Sequence, residues 1–168
     1  MGFAMDQLAV LIAQICATSE RRVDRLVNPL VSGLPAFLSA DSGVGSGFMI
    51  AQYTAVALVG ENRRLAAPAS LDGGITSALQ EDVLPHATPA AEKALRVIDN
   101  LRTVLAIELC CAAQAVDLAG GDLRLGPSVQ RLFDQIRSVV PGYQDDRPLN
   151  HDFAKVARLL DISAPDIA

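Results

Sequence analysis

The stretch VLAIELCCAAQAV at residues 104–116 decides the fold class, because a single charge, Glu108, interrupts an otherwise apolar run. A helix that is apolar on every side has to be surrounded by other apolar groups. Before this run apolar residues recur at helical spacing, and after it come Gly120 and Gly121, as is common beyond a helix end. The pattern predicts one helix over about residues 88–118, with these residues facing inward: Leu95, Ile98, Leu101 and Leu105.

Outward from this helix, the same patterns predict further helices and no strand. They cover about residues 6–27, 47–65, 127–140 and 150–160, with Ser46 and Asn150 as expected N-caps. The apolar faces of the first and fourth helices comprise Leu8, Leu11, Ile12, Ile15, Ser19, Val23 and Leu26, and Val129, Leu132, Phe133 and Ile136. Two stretches rich in glycine and proline, residues 29–47 and 67–89, predict ordered loops. We therefore expect one all-α domain over residues 1–168, built from long antiparallel helices.

The composition excludes several classes of protein. A hydrophobic content of 51% with 20% charged residues argues against disorder, and a net charge of −5 argues against a nucleic-acid surface. Mean hydropathy is +0.30, so apolar surface has to be buried in a membrane or against protein. The longest uncharged run, residues 42–60, begins as a glycine-rich turn, and the N-terminus lacks a signal peptide's basic flank. We expect a soluble, cytoplasmic protein that buries this apolar surface against protein, with no membrane or nucleic-acid partner.

Residue types that bind metals or act as nucleophiles do not cluster in the sequence. His86 and His151 each lack a second ligand at metal-binding spacing, so no metal site is expected. The odd number and the spacing of the cysteines argue against zinc and disulfides, and we expect buried thiols at Cys16, Cys110 and Cys111. The glycine-rich residues 43–47 fit either a phosphate cradle or a plain turn, and the turn is favoured because no strand precedes it.

The acidic stretch Gln-Glu-Asp at residues 80–82 is the strongest chemical candidate. It follows a polar, sparsely charged loop between two apolar helices. Partial desolvation would raise the pKa of a carboxyl group there and suit it to acid–base chemistry. The competing interpretation is an acidic residue in the first turn of a helix, stabilised by the helix dipole. The residues alone leave both interpretations open.

A series of motifs runs through nearly the whole chain in one order. They are SERR at 19–22, LVSGLPAFL at 30–38, SGFMIAQ at 46–52, ENRRLA at 61–66, PASLD at 68–72, TSALQED at 76–82 and VLAIEL at 104–109. In these motifs the chain resembles the aromatic amino-acid ammonia-lyases, specifically the histidine ammonia-lyase branch, and it resembles their C-terminal half. Leu79 stands where the family usually has asparagine, Val83 where it has histidine, and residues 73–75 replace the usual Ser-Ile-Pro or Ser-Leu-Pro.

The resemblance implies a mainly helical homotetramer whose central bundle mixes helices of several subunits, so we expect the chain to self-associate, especially through residues 104–116. It also implies elimination of ammonia from an α-amino acid to give an α,β-unsaturated acid. The family's electrophile is a methylidene-imidazolone formed from an upstream Ala-Ser-Gly triad, and its base is an upstream tyrosine. This chain contains no Ala-Ser-Gly, so we expect no cofactor within it and no turnover by the chain alone.

The resemblance also supplies the candidate site residues. Glu81 matches an active-site glutamate that steers the substrate amine or imidazole and assists proton transfer. Gln80 is its neighbour in the same motif, and Met49 matches a position that helps select the substrate side chain. An upstream lyase half and a small amino acid are the implied partners. Two alternatives remain: a non-catalytic helical oligomerisation module, and a fragment that folds differently from its place in a parent enzyme.

Overall fold

The computed structural model describes residues 1–71, 73–81, 83–121 and 123–160. Asp72 and Asp82, which belong to two of the motifs, lie outside the described residues, as do Asp122 and residues 161–168. The helices are α1 (Gly2–Val27), α2 (Pro29–Ser32), α3 (Met49–Leu65), α4 (Ala87–Ala119), α5 (Pro127–Val139) and α6 (Asn150–Leu159). Within the described ranges no strand occurs and a single isolated bridge joins Thr76 and Glu81, which confirms the all-α prediction.

Several helix ends differ from the sequence prediction. The loop expected after residue 28 contains the one-turn helix α2, because the Asn28 side chain accepts a hydrogen bond from the Leu30 amide. Helix α3 begins at Met49, so Ser46 lies before its cap position. The expected Asn150 cap is also wrong, because Asn150 is the first residue of α6. The acidic group at that end is Asp152, which lies within the first turn and pairs with Arg147.

Contacts divide the described chain into two compact units. Unit 1 comprises Met1–Thr18 and Val56–Leu101, and unit 2 comprises Ser19–Ala55 and the described residues from Arg102 onward. Helices α1, α3 and α4 each contribute residues to both units. The expectation of one domain over residues 1–168 stays a prediction.

The core of unit 1 is formed by small and medium side chains. Ala9, Ile12, Ala94 and Val97 are its buried centre, with Met5, Ala13, Leu65, Ile98 and Leu101 packed around them. The predicted inward faces are partly wrong, because Leu11 and Leu95 are each 63% exposed and Ile15 is 51% exposed. Alanines on the neighbouring helical stripe occupy the core instead, so the larger side chains face outward.

The core of unit 2 contains most of the apolar run that decided the fold class. Its fully buried side chains include Val23, Val27, Leu38, Val104, Ile107, Cys111 and Val156. Glu108, the one charge in that run, accepts hydrogen bonds from the Arg22 guanidinium and the Ser19 hydroxyl. Residues 104–116 are thus largely buried within the unit, and the expectation that they form the main association surface is wrong. Val129 and Leu132 of α5 are exposed, because they line a shallow cavity of about 60 Å³ rather than the core.

Helix α1 is long and apolar enough, by length and composition only, to cross a membrane. Core helices of soluble proteins pass the same test, so this is weak evidence. Asp6 and Glu20 of α1 are buried, and each pairs with a basic side chain, Lys93 and Arg21 respectively. Such paired charges fit a helix that packs within a protein core.

Candidate functional site

Glu81 lies at the base of a six-residue hairpin in the loop before α4. The Thr76 amide donates to the Glu81 carbonyl oxygen at 2.8 Å, and the Glu81 amide donates to the Thr76 carbonyl oxygen at 3.2 Å. Between them, Ser77–Leu79 form a 3-10 turn, and Gln80 completes the hairpin. The first-turn interpretation of Glu81 is therefore wrong, since α4 begins only at Ala87.

The turn of this hairpin has a strained backbone. Ser77, Ala78 and Leu79 have φ angles of 54°, 54° and 72°, and none of them is glycine. Left-handed backbone costs roughly 1–2 kcal/mol for each such residue. Strain of this kind persists where surrounding structure enforces it, and it is concentrated at functional sites.

The hairpin and its flanks are uncovered in this chain. Leu79 is 79% exposed, Val83 is 75% exposed, and Gln80 and Glu81 are exposed beside them. The desolvated environment expected for Glu81 is therefore not formed by the described residues of unit 1. Leu71 and Ile75 are exposed in the same loop, so apolar surface surrounds the acidic group, as is typical where another protein surface docks.

Both ends of the loop lie against the start of α1, and hydrogen bonds hold the first end there. The Asp6 carboxylate accepts hydrogen bonds from the Ala69 amide at 3.1 Å and the Ser70 amide at 2.8 Å. Lys93 Nζ lies 3.2 Å from the same carboxylate and donates to the Ala67 carbonyl oxygen. At the other end, a Cβ on Gly2 would lie 2.5 Å from the Pro85 carbonyl oxygen, so only glycine permits that approach.

These contacts hold the pKa of Asp6 well below its ordinary value. The groups that lower it are the Ser70 side chain beside it, the amides of Ser70 and Ala69, and Lys93, while desolvation acts in the opposite direction. We give most weight to the two amides, because they donate to the carboxylate, whereas the buried Ser70 hydroxyl forms no hydrogen bond. An ionised, buried carboxylate thus fixes the loop that carries Glu81.

Met49, the third predicted site residue, belongs to unit 2. It is the half-buried first residue of α3. Directly before it, the Ser46 and Gly47 amides donate to the Asp146 carboxylate at 2.7 and 3.1 Å. These two amides are therefore occupied by the chain's own carboxylate, which argues against a phosphate cradle at residues 43–47 and for the turn.

The three predicted site residues are divided between the two units. Gln80 and Glu81 are neighbours in unit 1, and Met49 belongs to unit 2. One cavity of about 380 Å³ in unit 1 is lined by Phe3, Asp6, Gln7, Val10, Leu11, Pro68, Ser70 and Leu71. A groove of about 600 Å³ in unit 2 is lined by residues of α3, α6 and the loop before α6, including Ile50, Tyr143, Asp146 and Phe153. None of the predicted site residues lines either one.

The cysteines are unsuited to nucleophilic chemistry. All three are buried, which confirms that part of the sequence prediction. Burial raises the pKa of Cys110 to about 12 and that of Cys111 well above its ordinary value. Because the thiolate is the reactive form, neither side chain is activated at neutral pH.

Comparison with known proteins relates the chain to one group of enzymes. The family model for aromatic amino acid lyases matches residues 1–138. The chain is 49% identical over 160 residues to histidine ammonia-lyase from Symbiobacterium thermophilum, covering 95% of the chain and 31% of that relative. The crystal structure of histidine ammonia-lyase from Trypanosoma cruzi matches with a TM-score of 0.92 and 43% identity, over 95% of this chain and 31% of that one. Tyrosine aminomutase from Streptomyces globisporus matches with a TM-score of 0.91 and 38% identity, over 95% and 30%.

Proposed function

The chain belongs to the aromatic amino acid lyase family, and on that basis we propose that it is the C-terminal part of a histidine or aromatic amino-acid ammonia-lyase. The proposed reaction is elimination of ammonia from an α-amino acid to give an α,β-unsaturated acid. The chain spans 31% of the length of its curated relative from Symbiobacterium thermophilum. It would therefore contribute part of a site that is completed by other protein segments.

The family's electrophile does not fit the residues of this chain. A methylidene-imidazolone forms from consecutive alanine, serine and glycine. Each Ser-Gly pair here follows a different residue, namely Val31, Asp41 or Gly45. We therefore propose that the chain alone holds no such group and does not turn over substrate.

The strained hairpin supports a role for Glu81 in substrate binding and proton transfer. Its carboxylate would bind the amine or imidazole of the substrate and hold a proton during elimination, and Gln80 would bind substrate through its amide. Met49 would contact the substrate side chain. The observation that supports this most directly is a left-handed turn, built without glycine, beside a carboxylate in the family's motif.

Exposed apolar side chains support assembly with further protein. On α1 these are Phe3, Leu8, Val10, Leu11 and Ile15, and unit 1 adds the uncovered loop around Glu81. Apolar surface of this kind marks interfaces. We propose self-association, in the family's case as a tetramer, together with an upstream lyase segment, in the cytoplasm.

The second candidate is a helical assembly module without catalysis. It is favoured by Leu79 and Val83, which place apolar groups next to Glu81 where the family usually has polar ones. Polar neighbours ordinarily hold a functional carboxylate in position, and apolar ones cannot do so.

A chimera distinguishes the two candidates. Residues 1–160 of this chain would replace the matching segment of the Symbiobacterium thermophilum enzyme, and the purified protein would be incubated with histidine, phenylalanine and tyrosine. We expect formation of an unsaturated acid, reduced about 100-fold or more by Glu81→Gln because an acid–base group is lost. Glu92→Gln, an exposed glutamate on α4, is the matched control and should leave the rate unchanged.

Three results would decide against this assignment. Turnover by the isolated chain would contradict the proposed need for an upstream segment. A chimera that assembles as the parent enzyme does, without activity towards any of the three amino acids, would favour the module. Equal activity of the chimera with and without Glu81→Gln would remove Glu81 from the site.

A further inference from the structure

The loop before α6 reaches back to the start of α3 through Asp146. Oδ2 of Asp146 accepts from the Ser46 amide and Oδ1 accepts from the Gly47 amide. The Tyr143 hydroxyl also donates to Oδ1, at 3.0 Å. One carboxylate thus binds three donors, two of which are backbone amides separated from the first residue of α3 by Phe48.

Tyr143 is itself held firmly. Its amide donates to Gln114 Oε1 at 2.9 Å, and Gln114 Nε2 donates to its carbonyl oxygen at 2.8 Å. Its ring packs against Phe48 with 5.1 Å between the ring centroids. The loop is therefore anchored to α4 through Gln114 and to the start of α3 through Phe48.

The backbone leading into Met49 has little freedom. Gly47 has a φ of +55°, and a Cβ there would lie 2.4 Å from the Phe37 carbonyl oxygen. That same oxygen accepts a hydrogen bond from the Phe48 amide at 2.8 Å. The Asp146 carboxylate binds the Ser46 and Gly47 amides, and the Phe37 carbonyl oxygen binds the Phe48 amide. These two contacts together fix the direction in which α3 begins.

We propose that Asp146 is a positioning residue that fixes the first turn of α3 and thereby holds Met49 where it selects the substrate side chain. The selection part of this proposal rests on the proposed function, whereas the positioning part concerns this chain alone. The Ser46 and Gly47 amides lower the pKa of Asp146, so the carboxylate stays ionised throughout the neutral range. Asparagine cannot replace it, because its NH₂ group would face one of the donors.

The positioning part is tested on the isolated chain by NMR of isotope-labelled methionine methyl groups. The chain has three methionines, and Met49→Leu assigns the resonance of interest. Asp146→Asn should move the Met49 methyl resonance and leave that of Met5 unchanged. Asp145→Asn, an exposed neighbour, is the matched control and should move neither.

Tyr143→Phe provides a second variant if Asp146→Asn does not fold. It keeps the ring against Phe48 and removes only the hydroxyl that donates to Asp146, so it should move the Met49 resonance by a smaller amount. The proposal would be overturned if Asp146→Asn folds and the Met49 resonance does not move. If Asp146→Asn does not fold, an unmoved Met49 resonance in Tyr143→Phe would overturn it.

The selection part is tested in the active chimera. Asp146→Asn should raise KM for the preferred amino acid severalfold and at most roughly tenfold, because the exposed Asp146 acts on substrate only through Met49, and it should change kcat by less than about twofold. Asp145→Asn should change neither. Unchanged KM would overturn the selection part. If the chimera with Asp146 intact has no activity, the proposed function fails, and the methyl resonance still decides whether Asp146 positions Met49.

Discussion

Replacing Asp6 by asparagine tests whether a buried carboxylate holds the loop that carries Glu81. Asp6 accepts from the Ala69 and Ser70 amides and pairs with Lys93. Asparagine has nearly the same shape, but its side chain offers one acceptor oxygen and one NH₂ group. One of the two amides would therefore face a second donor.

The expected loss follows from these contacts. A hydrogen bond to a charged group contributes about 1.5–3 kcal/mol, and leaving a buried amide unsatisfied costs about 1–3 kcal/mol. Lys93 is 21% exposed in its side chain and can reach water, so we assign its ion pair at most about 1 kcal/mol. Because these contributions overlap, we expect Asp6→Asn to lower the free energy of unfolding by about 3 kcal/mol at pH 7.

Urea unfolding followed by circular dichroism measures this difference, with Asp145→Asn as the exposed control. The pKa of Asp6 is depressed in the folded chain, so its stabilisation is complete above the ordinary value of 3.8 and is lost as pH falls below it. The gap between the parent chain and Asp6→Asn should be constant from pH 7 to about 5 and narrow below about pH 4. A gap under about 1 kcal/mol at pH 7, or one that does not narrow in acid, would refute the reasoning.

Two further predictions concern backbone and thiols. Gly47→Ala should lower the free energy of unfolding by about 2 kcal/mol or more, because the new Cβ meets the Phe37 carbonyl oxygen at 2.4 Å. Gly60→Ala in α3, where nothing lies within 4 Å, should instead raise it by up to about 1 kcal/mol, and similar thermal shifts for the two would contradict this. Burial raises the pKa of Cys110 to about 12, and we expect that no thiol of the native chain reacts with a disulfide reagent at pH 8 until denaturant is added. Fast labelling of the native chain would contradict this prediction.

The sequence predicted helix positions better than the directions in which the helices face. Helix α4 was expected over about residues 88–118 and spans Ala87–Ala119, since periodicity and the following glycines mark its ends. Leu11 and Leu95 were expected inside and lie outside, because an apolar pattern does not say which of two adjacent stripes packs within the chain. A stripe of alanines lets two helices pack closely along it, so the larger apolar residues of the adjacent stripe lie on the surface of the chain.

The candidate site was predictable only in part, for two physical reasons. The left-handed turn at Ser77–Leu79 contains no glycine, so the conformational preferences of its residues do not predict it. Asp146 acts on Ser46 from one hundred positions away, and nothing in its immediate sequence indicates that contact. Glu81 and Met49 were found through motif resemblance, and their roles stay predictions.

The structure shows where the apolar side chains behind the high mean hydropathy lie. Residues 104–116 are mostly buried in unit 2, whereas unit 1 leaves large apolar groups uncovered on α1, at Val56 and Leu95, and around the Glu81 hairpin. Burying one large side chain gains about 1.5–3 kcal/mol, so the five exposed large apolar side chains of α1 would gain roughly 8–15 kcal/mol together. Association costs an estimated 4–15 kcal/mol before any ordering of side chains, so α1 alone leaves little surplus. Stable assembly would therefore need the hairpin loop as well, and the docking that covers Leu79 and Val83 would also exclude water from Glu81.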